Sequence, residues 1–141
     1  MKLGMIGPHK PSLTGYGVAE TMFGIKVGLE HYGHEIIVGD VNADVDAWIS
    51  YTVGSLQFID HRSEPKICAM VDLDYLVDIY RRQYGFRQQP MTYAEMGNRH
   101  KIAMEKKKDM LDKLQKVQLV LNFAKHHSDW LNEQGVKSCY V

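Results

Sequence analysis

The chain has 141 residues, 45% apolar and 24% charged, with seventeen basic side chains balancing seventeen acidic ones. That length suits one domain with its own core, and the mixture excludes a disordered or fibrous chain. A neutral chain sets up no global field for nucleic acid or anionic lipid, so neither is an expected partner.

Lys2 to Ile6 is a short apolar run closed by Gly7-Pro8, which predicts a first strand ending in a loop. Residues His9 to Tyr16 contain proline, serine and glycine, which favour turns over a continuing strand. From Gly17 the pattern becomes helical, because Val18, Met22, Ile25 and Leu29 form one apolar stripe. Gly33 follows the last turn, where a left-handed glycine ends a helix. Ile36-Ile37-Val38 predicts a second strand closed by Gly39-Asp40, completing a βαβ unit with parallel strands.

The alternation continues. Ala47 to Tyr51 predicts a third strand, Val53 to Asp60 a short helix and Lys66 to Val71 a fourth strand. A helical stretch from Leu73 to about Tyr84 follows, then a less regular segment broken at Gln88-Gln89-Pro90. A long helix is expected to reach Lys116 on a stripe of Ala103, Met110, Leu114 and Val117, with Lys106-Lys107-Lys108 on its solvated face. Leu119 to Leu121 predicts a fifth strand, His127 to Gln134 a last helix and Cys139 to Val141 the start of a sixth strand. Strands that are apolar throughout imply burial on both faces. The fold class is therefore α/β, with an open, mostly parallel, doubly wound (Rossmann-like) sheet and helices on both faces. One domain over residues 1–141 is expected.

Cys68 and Cys139 fall inside runs that read as buried strands, which suits free thiols in a reducing compartment. The first residues lack the pattern of a signal peptide, and no run has the length of a membrane span. A cytoplasmic protein with no transmembrane segment is expected.

In open α/β sheets ligands bind beyond the carboxyl ends of the strands. Thr14, Gly15, Tyr16 and Gly17 stand there, at the start of the first helix, whose free N–H groups and dipole favour an anion. The same glycines also serve a tight turn. A dinucleotide fit fails on geometry: Glu20 occupies the third glycine position, and a long loop separates the strand from Gly15, although Asp40 stands where a ribose-binding acid belongs. NAD is not expected.

The long loop, the Thr-Gly-Tyr-Gly turn, the helix carrying Leu29 and then Gly33-His34-Glu35-Ile36 resemble the opening of GT-B retaining glycosyltransferases of the family-4 type. Ile67 to Leu73 resembles the family strand that ends in His-Asp, with Val71 in the histidine position and Asp72 in the aspartate position. Leu119 to Leu131 resembles the strand and helix of a Ser-Glu-Phe-like motif, with Ala124 and Lys125 in the serine and glutamate positions. The resemblance spans nearly the whole chain, so the fold expected is that of the N-terminal half of a GT-B enzyme.

What the resemblance implies is an acceptor-binding domain that works beside a donor-binding domain. Sugar would pass from a nucleotide-sugar donor to a hydroxyl of a glycan or other acceptor. The donor motif is not found in the sequence, so the chain is expected to be a fragment or a half-protein needing a C-terminal donor-binding domain, in the same or another chain. Alone it is expected to be inactive. Ligand contacts fall to Thr14, Gly15, Tyr16, Gly17, Asp72 and Lys125, with backbone amides at 15–17 stabilising the departing diphosphate. No cofactor is expected.

Asp72 equally suits a helix cap. The adjacent His126-His127 cannot share one helical face, and the histidines and cysteines are too scattered for a zinc site, so no metal is expected. Tyr84, Phe86 and Tyr93 around Arg87, Gln88 and Gln89 suit sugar stacking but also loop packing. The alternative function is a non-catalytic Rossmann-like module that binds a ligand or a protein through the same loop.

Overall fold

The computed structural model describes residues 1–7, 18–69, 105–122 and 125–141. Within them lie six strands: β1 (Lys2–Ile6), β2 (Glu35–Val38), β3 (Ala47–Ser50), β4 (Lys66–Ala69), β5 (Leu119–Asn122) and β6 (Ser138–Tyr140). They form one sheet in the order β2-β1-β3-β4-β5-β6, and every pairing is parallel. The chain is an open α/β, Rossmann-like sheet, as its alternating apolar runs predict.

Alternation along each strand sorts the side chains onto two faces. On one face Leu3, Met5, Ala47 and Ile49 meet Met22, Ile25 and Leu29 of helix α1 (Val18–His31). The predicted stripe thus faces the sheet from Met22 onward. On the other face Ile6 and Trp48 pack against Leu56 and Ile59 of a 3₁₀ helix (Gly54–Ile59). Farther along that face, Cys68 and Val120 meet Met110 and Leu114 of α2, described over residues 105–114, and Leu131 of α3 (Lys125–Glu133). Helices cover both faces because the chain steps one way from β1 to β2 and the other way to β3, and right-handed crossovers then lie on opposite sides.

Two glycines end helices as the sequence chemistry requires. Gly33 has φ 82° and Gly135 has φ 80°. In each case a backbone amide one residue further on reaches back to the last turn: His34 N–H to Leu29 O at 3.1 Å, and Val136 N–H to Leu131 O at 3.0 Å. These are Schellman ends. A third glycine, Gly4, does different work. It pairs in register with Trp48, and a Cβ there would lie 2.3 Å from Trp48 Cε3 and Cζ3. The bare backbone of β1 is what lets the fully buried indole lie across the sheet.

Three expectations need correction. The helix expected over Val53 to Asp60 is a 3₁₀ helix over Gly54–Ile59, because its entry is closed by three-residue bonds, Ser55 N–H to Thr52 O and Leu56 N–H to Val53 O. The last helix starts at Lys125 rather than His127, since neither Lys125 nor His126 breaks a helix and Lys125 Nζ reaches Asp129 Oδ2 one turn on, at 2.6 Å. Burial on both faces holds for β3 throughout and for β1 beyond Lys2, but β5 alternates between half-buried and buried positions and the edge strands are more open. Cys139, on edge strand β6, is only half-buried. The second helical stretch expected from Leu73, the segment with Tyr84, Phe86 and Tyr93, and the stripe residue Ala103 lie outside the described residues.

Candidate functional site

Strand order decides where a candidate site lies. β1 has β2 on one side and β3 on the other, so the connections leaving their carboxyl ends diverge to opposite faces. In an open parallel sheet that divergence opens a crevice, the position at which such folds take ligands. Its walls are the end of β1, at Ile6 and Gly7, and the end of β3, at Ser50 and Tyr51. Ile6 pairs with Ser50, and the Tyr51 N–H donates to Ile6 O at 3.0 Å, carrying the pairing one residue past the strand.

The β3 side carries a knot of hydroxyls. Ser50 and Ser55 are both fully buried, with Oγ atoms 2.7 Å apart. Both lie within reach of the Thr52 carbonyl, at 2.9 and 2.8 Å, and share it as acceptor. Thr52 N–H donates to Ser55 Oγ at 3.0 Å, and Ser55 N–H donates to Thr52 Oγ1 at 3.3 Å. A turn built on reciprocal side-chain-to-backbone bonds satisfies every buried group it contains. These hydroxyls therefore fix the turn that follows β3.

Next to Ser50 across the sheet is Cys68. Burial pushes its thiol up to about 12, because a thiolate there would have no water around it. A thiol so disposed is an inert wall, not a nucleophile.

Charge reaches this edge from two sides. Asp40 follows β2, is exposed, and accepts the Asn42 N–H on Oδ1 at 3.0 Å, so it shapes the turn after Gly39. Lys125 begins α3, three residues past the end of β5, and is exposed while bonded to Asp129. Four strand spacings separate β2 from β5, about 19 Å at ordinary sheet geometry. The two charges thus flank the crevice.

Of the ligand contacts expected from sequence, Lys125 alone is among the described residues, and it stands at the expected sheet edge. Thr14, Gly15, Tyr16, Gly17 and Asp72 lie outside them. The chain leaves β1 at Gly7, beside the crevice, and enters α1 at Val18. His34 sits half-buried at the opposite edge, where α1 turns into β2, away from the crevice. His127 is buried and His126 exposed, as two faces require, although their rings meet edge to face at 4.1 Å. Among the described residues no three His, Cys, Asp or Glu side chains are grouped to hold a metal ion. None of their helices is long and apolar enough to cross a membrane.

Ser50, Thr52 and Ser55 escaped the sequence reading. Their signal was three hydroxyls within six positions at the carboxyl end of a predicted strand, but only the order β1-β3 shows that this end borders the crevice.

No family model, curated protein or solved structure matches this chain.

Proposed function

We propose that this chain is the acceptor-side domain of a retaining, nucleotide-sugar-dependent glycosyltransferase of the GT-B type. One observation carries the reading: a fully parallel sheet in the order β2-β1-β3-β4-β5-β6, which opens a crevice where β1 gives way to the segment holding Thr14 to Gly17. The motif resemblance along the chain gives that crevice its chemistry. In the reaction, the bond from the sugar's anomeric carbon to the diphosphate oxygen breaks. The acceptor hydroxyl oxygen bonds that carbon, and its proton leaves with the diphosphate.

Each expected residue has a distinct part. Backbone N–H groups of Gly15 to Gly17 are assigned the stabilisation of the negative charge that grows on the departing diphosphate, where fixed dipoles are most effective. Asp72 orients the acceptor hydroxyl. Lys125 adds positive charge on the β5 side, and a second, donor-binding domain closes over the nucleotide.

The test begins with the gene product purified from its own source, with its intact mass measured. It is then assayed for nucleoside diphosphate release from UDP-, GDP- and ADP-sugars with hydroxyl acceptors. Release is expected, and a Gly15→Val, Gly17→Val double change should abolish it with the far-UV circular dichroism unchanged. A folded protein that releases no diphosphate from any donor class, with its copurifying partners present, refutes the reading in favour of a non-catalytic binding module.

A further inference from the structure

A second recess lies at the other end of the molecule. It sits on the face carrying the 3₁₀ helix, between that helix and the end of α2, and opens near the amino end of β4. Its volume is about 200 Å³, and Leu56 and Val117 supply the apolar side chains of its lining. Gln57, Asp60 and three lysines, Lys66, Lys113 and Lys116, complete the lining.

Those lysines come from separate parts of the chain: the first residue of β4, the last turn of α2 and the turn that follows it. Two are held in place through one bond each. Lys66 Nζ donates to Arg62 O, and Lys113 Nζ donates to Asp109 Oδ2 at 2.8 Å. An ammonium has three N–H donors, so each retains two for a ligand. Summed over the lining, three cations and Asp60 give a net charge of two positive, in a chain whose overall charge is zero. Asp109, outside the lining, offsets one of these through Lys113.

Size, charge and apolar lining select among ligands. The volume falls below the range of roughly 300–1,000 Å³ usual for drug-sized ligands, so the occupant is small. A phosphate monoester carries about two negative charges at neutral pH and several acceptor oxygens, which complements the three lysines of the lining. The apolar part of the lining calls for an equally apolar group on the ester. We propose that this recess is a binding site for a small phosphate monoester bearing an apolar substituent, with the phosphate on Lys66, Lys113 and Lys116 and the substituent on Leu56 and Val117. The site stands at the opposite sheet edge from the β1/β3 crevice and does not depend on the glycosyltransferase reading.

Phenyl phosphate, inorganic phosphate and benzyl alcohol separate the parts of the proposal. Each is titrated into the ¹⁵N-labelled 141-residue chain, and backbone amide shifts are followed by NMR. Phenyl phosphate should move the amides of Leu56, Gln57, Asp60, Lys116 and Val117 together. Inorganic phosphate should move the same set with weaker affinity, and benzyl alcohol should move it least. A Lys113→Gln, Lys116→Gln double change removes two exposed charges without breaking the helix, and should weaken phenyl phosphate about tenfold with the remaining spectrum unchanged. Shifts scattered over surface lysines, equal binding of benzyl alcohol, or unchanged affinity in the double variant would each overturn the proposal.

Discussion

Gly4 is the position at which the smallest addition should have the largest effect. A methyl group there meets the six-membered part of the Trp48 ring at 2.3 Å, more than about 1 Å inside ordinary carbon–carbon contact. Trp48 has no room to retreat. Its side chain is fully buried, packed with Ile6, Leu56 and Ile59, and its Nε1 donates toward Glu64 Oε2 at 3.4 Å. Arg62 covers the ring at 5.4 Å from its centroid. Overpacking of this kind costs about 1–3 kcal/mol. Against it stands the gain of about 0.5–1 kcal/mol from replacing a glycine in a strand by alanine. The clash exceeds typical cases, so Gly4→Ala should destabilise the fold by about 2 kcal/mol.

A double-mutant cycle separates this explanation from a general intolerance of β1. Urea unfolding followed by circular dichroism is run on Gly4→Ala, Trp48→Leu and the pair. Trp48→Leu alone leaves a cavity and should cost about 2–4 kcal/mol. In the pair, the alanine methyl enters space the indole has left, so the combined loss should fall at least about 1 kcal/mol short of the sum. Additive losses, or a Gly4→Ala protein as stable as the parent, would refute the assignment of Gly4 as the bed of Trp48.

Three further outcomes follow from local chemistry. The Arg62 guanidinium, bonded to Glu64 at 2.5 Å, holds its carboxyl down at about 2 against an ordinary 4.5. The folded state therefore prefers the ionised form, and the pair's contribution to stability is full above pH 4.5 and lost as pH falls toward 2; an NMR titration of Glu64 should show the low midpoint, and Arg62→Gln should return it toward 4.5. Cys68, pushed up to about 12 by burial, should resist iodoacetamide at pH 8 while half-buried Cys139 reacts, so intact mass should show one adduct in native protein and two in denaturant; equal labelling rates would contradict the burial. Asn132 ties α3 to β6 by donating from Nδ2 to Ser128 O at 2.9 Å and Ser138 O at 3.0 Å, and by accepting the Ser138 N–H at 3.0 Å. Asn132→Ala should cost about 1–3 kcal/mol in chemical unfolding and expose the β6 amides to faster hydrogen exchange.

The strands were legible because burial on both faces leaves an unmistakable mark: Leu3 to Ile6, Ala47 to Ile49 and Ile67 to Ala69 have no outward side to make polar. Gly33 marked a helix end for an equally local reason, its left-handed backbone. Strand order was not written in any such run. A parallel sheet built in chain order and one that steps from β2 across β1 to β3 need the same apolar segments, and only packing chooses between them. The same limit hid the pairing of Gly4 with Trp48, which are 44 positions apart but cross-strand neighbours. It hid the lysine recess too, since Lys66 and Lys116 meet only after the sheet has formed. Sequence reasoning missed the hydroxyl knot, because Ser50, Thr52 and Ser55 look like ordinary turn residues until β1 is laid beside them, while the loop it singled out at Thr14 to Gly17 lies outside the described residues.

The two edges of the sheet are built on different terms, and that difference bears on function. At the amino edge the connections are tied by reciprocal bonds. Lys2 N–H donates to Asp46 Oδ2 at 2.7 Å while Asp46 N–H donates to Lys2 O at 2.8 Å. Lys66 N–H donates to Gln118 Oε1 at 3.1 Å while Gln118 N–H donates to Lys66 O at 2.8 Å. Each pair fastens a strand start to the segment arriving beside it. Among the described residues, the carboxyl edge carries a hydroxyl knot at Ser50, Thr52 and Ser55. A parallel sheet sends all its loops of one kind to one edge. The two reciprocal pairs tie the amino ends of β1 and β4 through side-chain bonds, while at the carboxyl edge backbone bonds from Gly39 N–H to Met5 O and from Tyr51 N–H to Ile6 O, both 3.0 Å, carry the pairing past the strands. Gly7, Asp40 and Lys125 follow β1, β2 and β5 at that carboxyl edge, the edge at which open parallel sheets take their ligands.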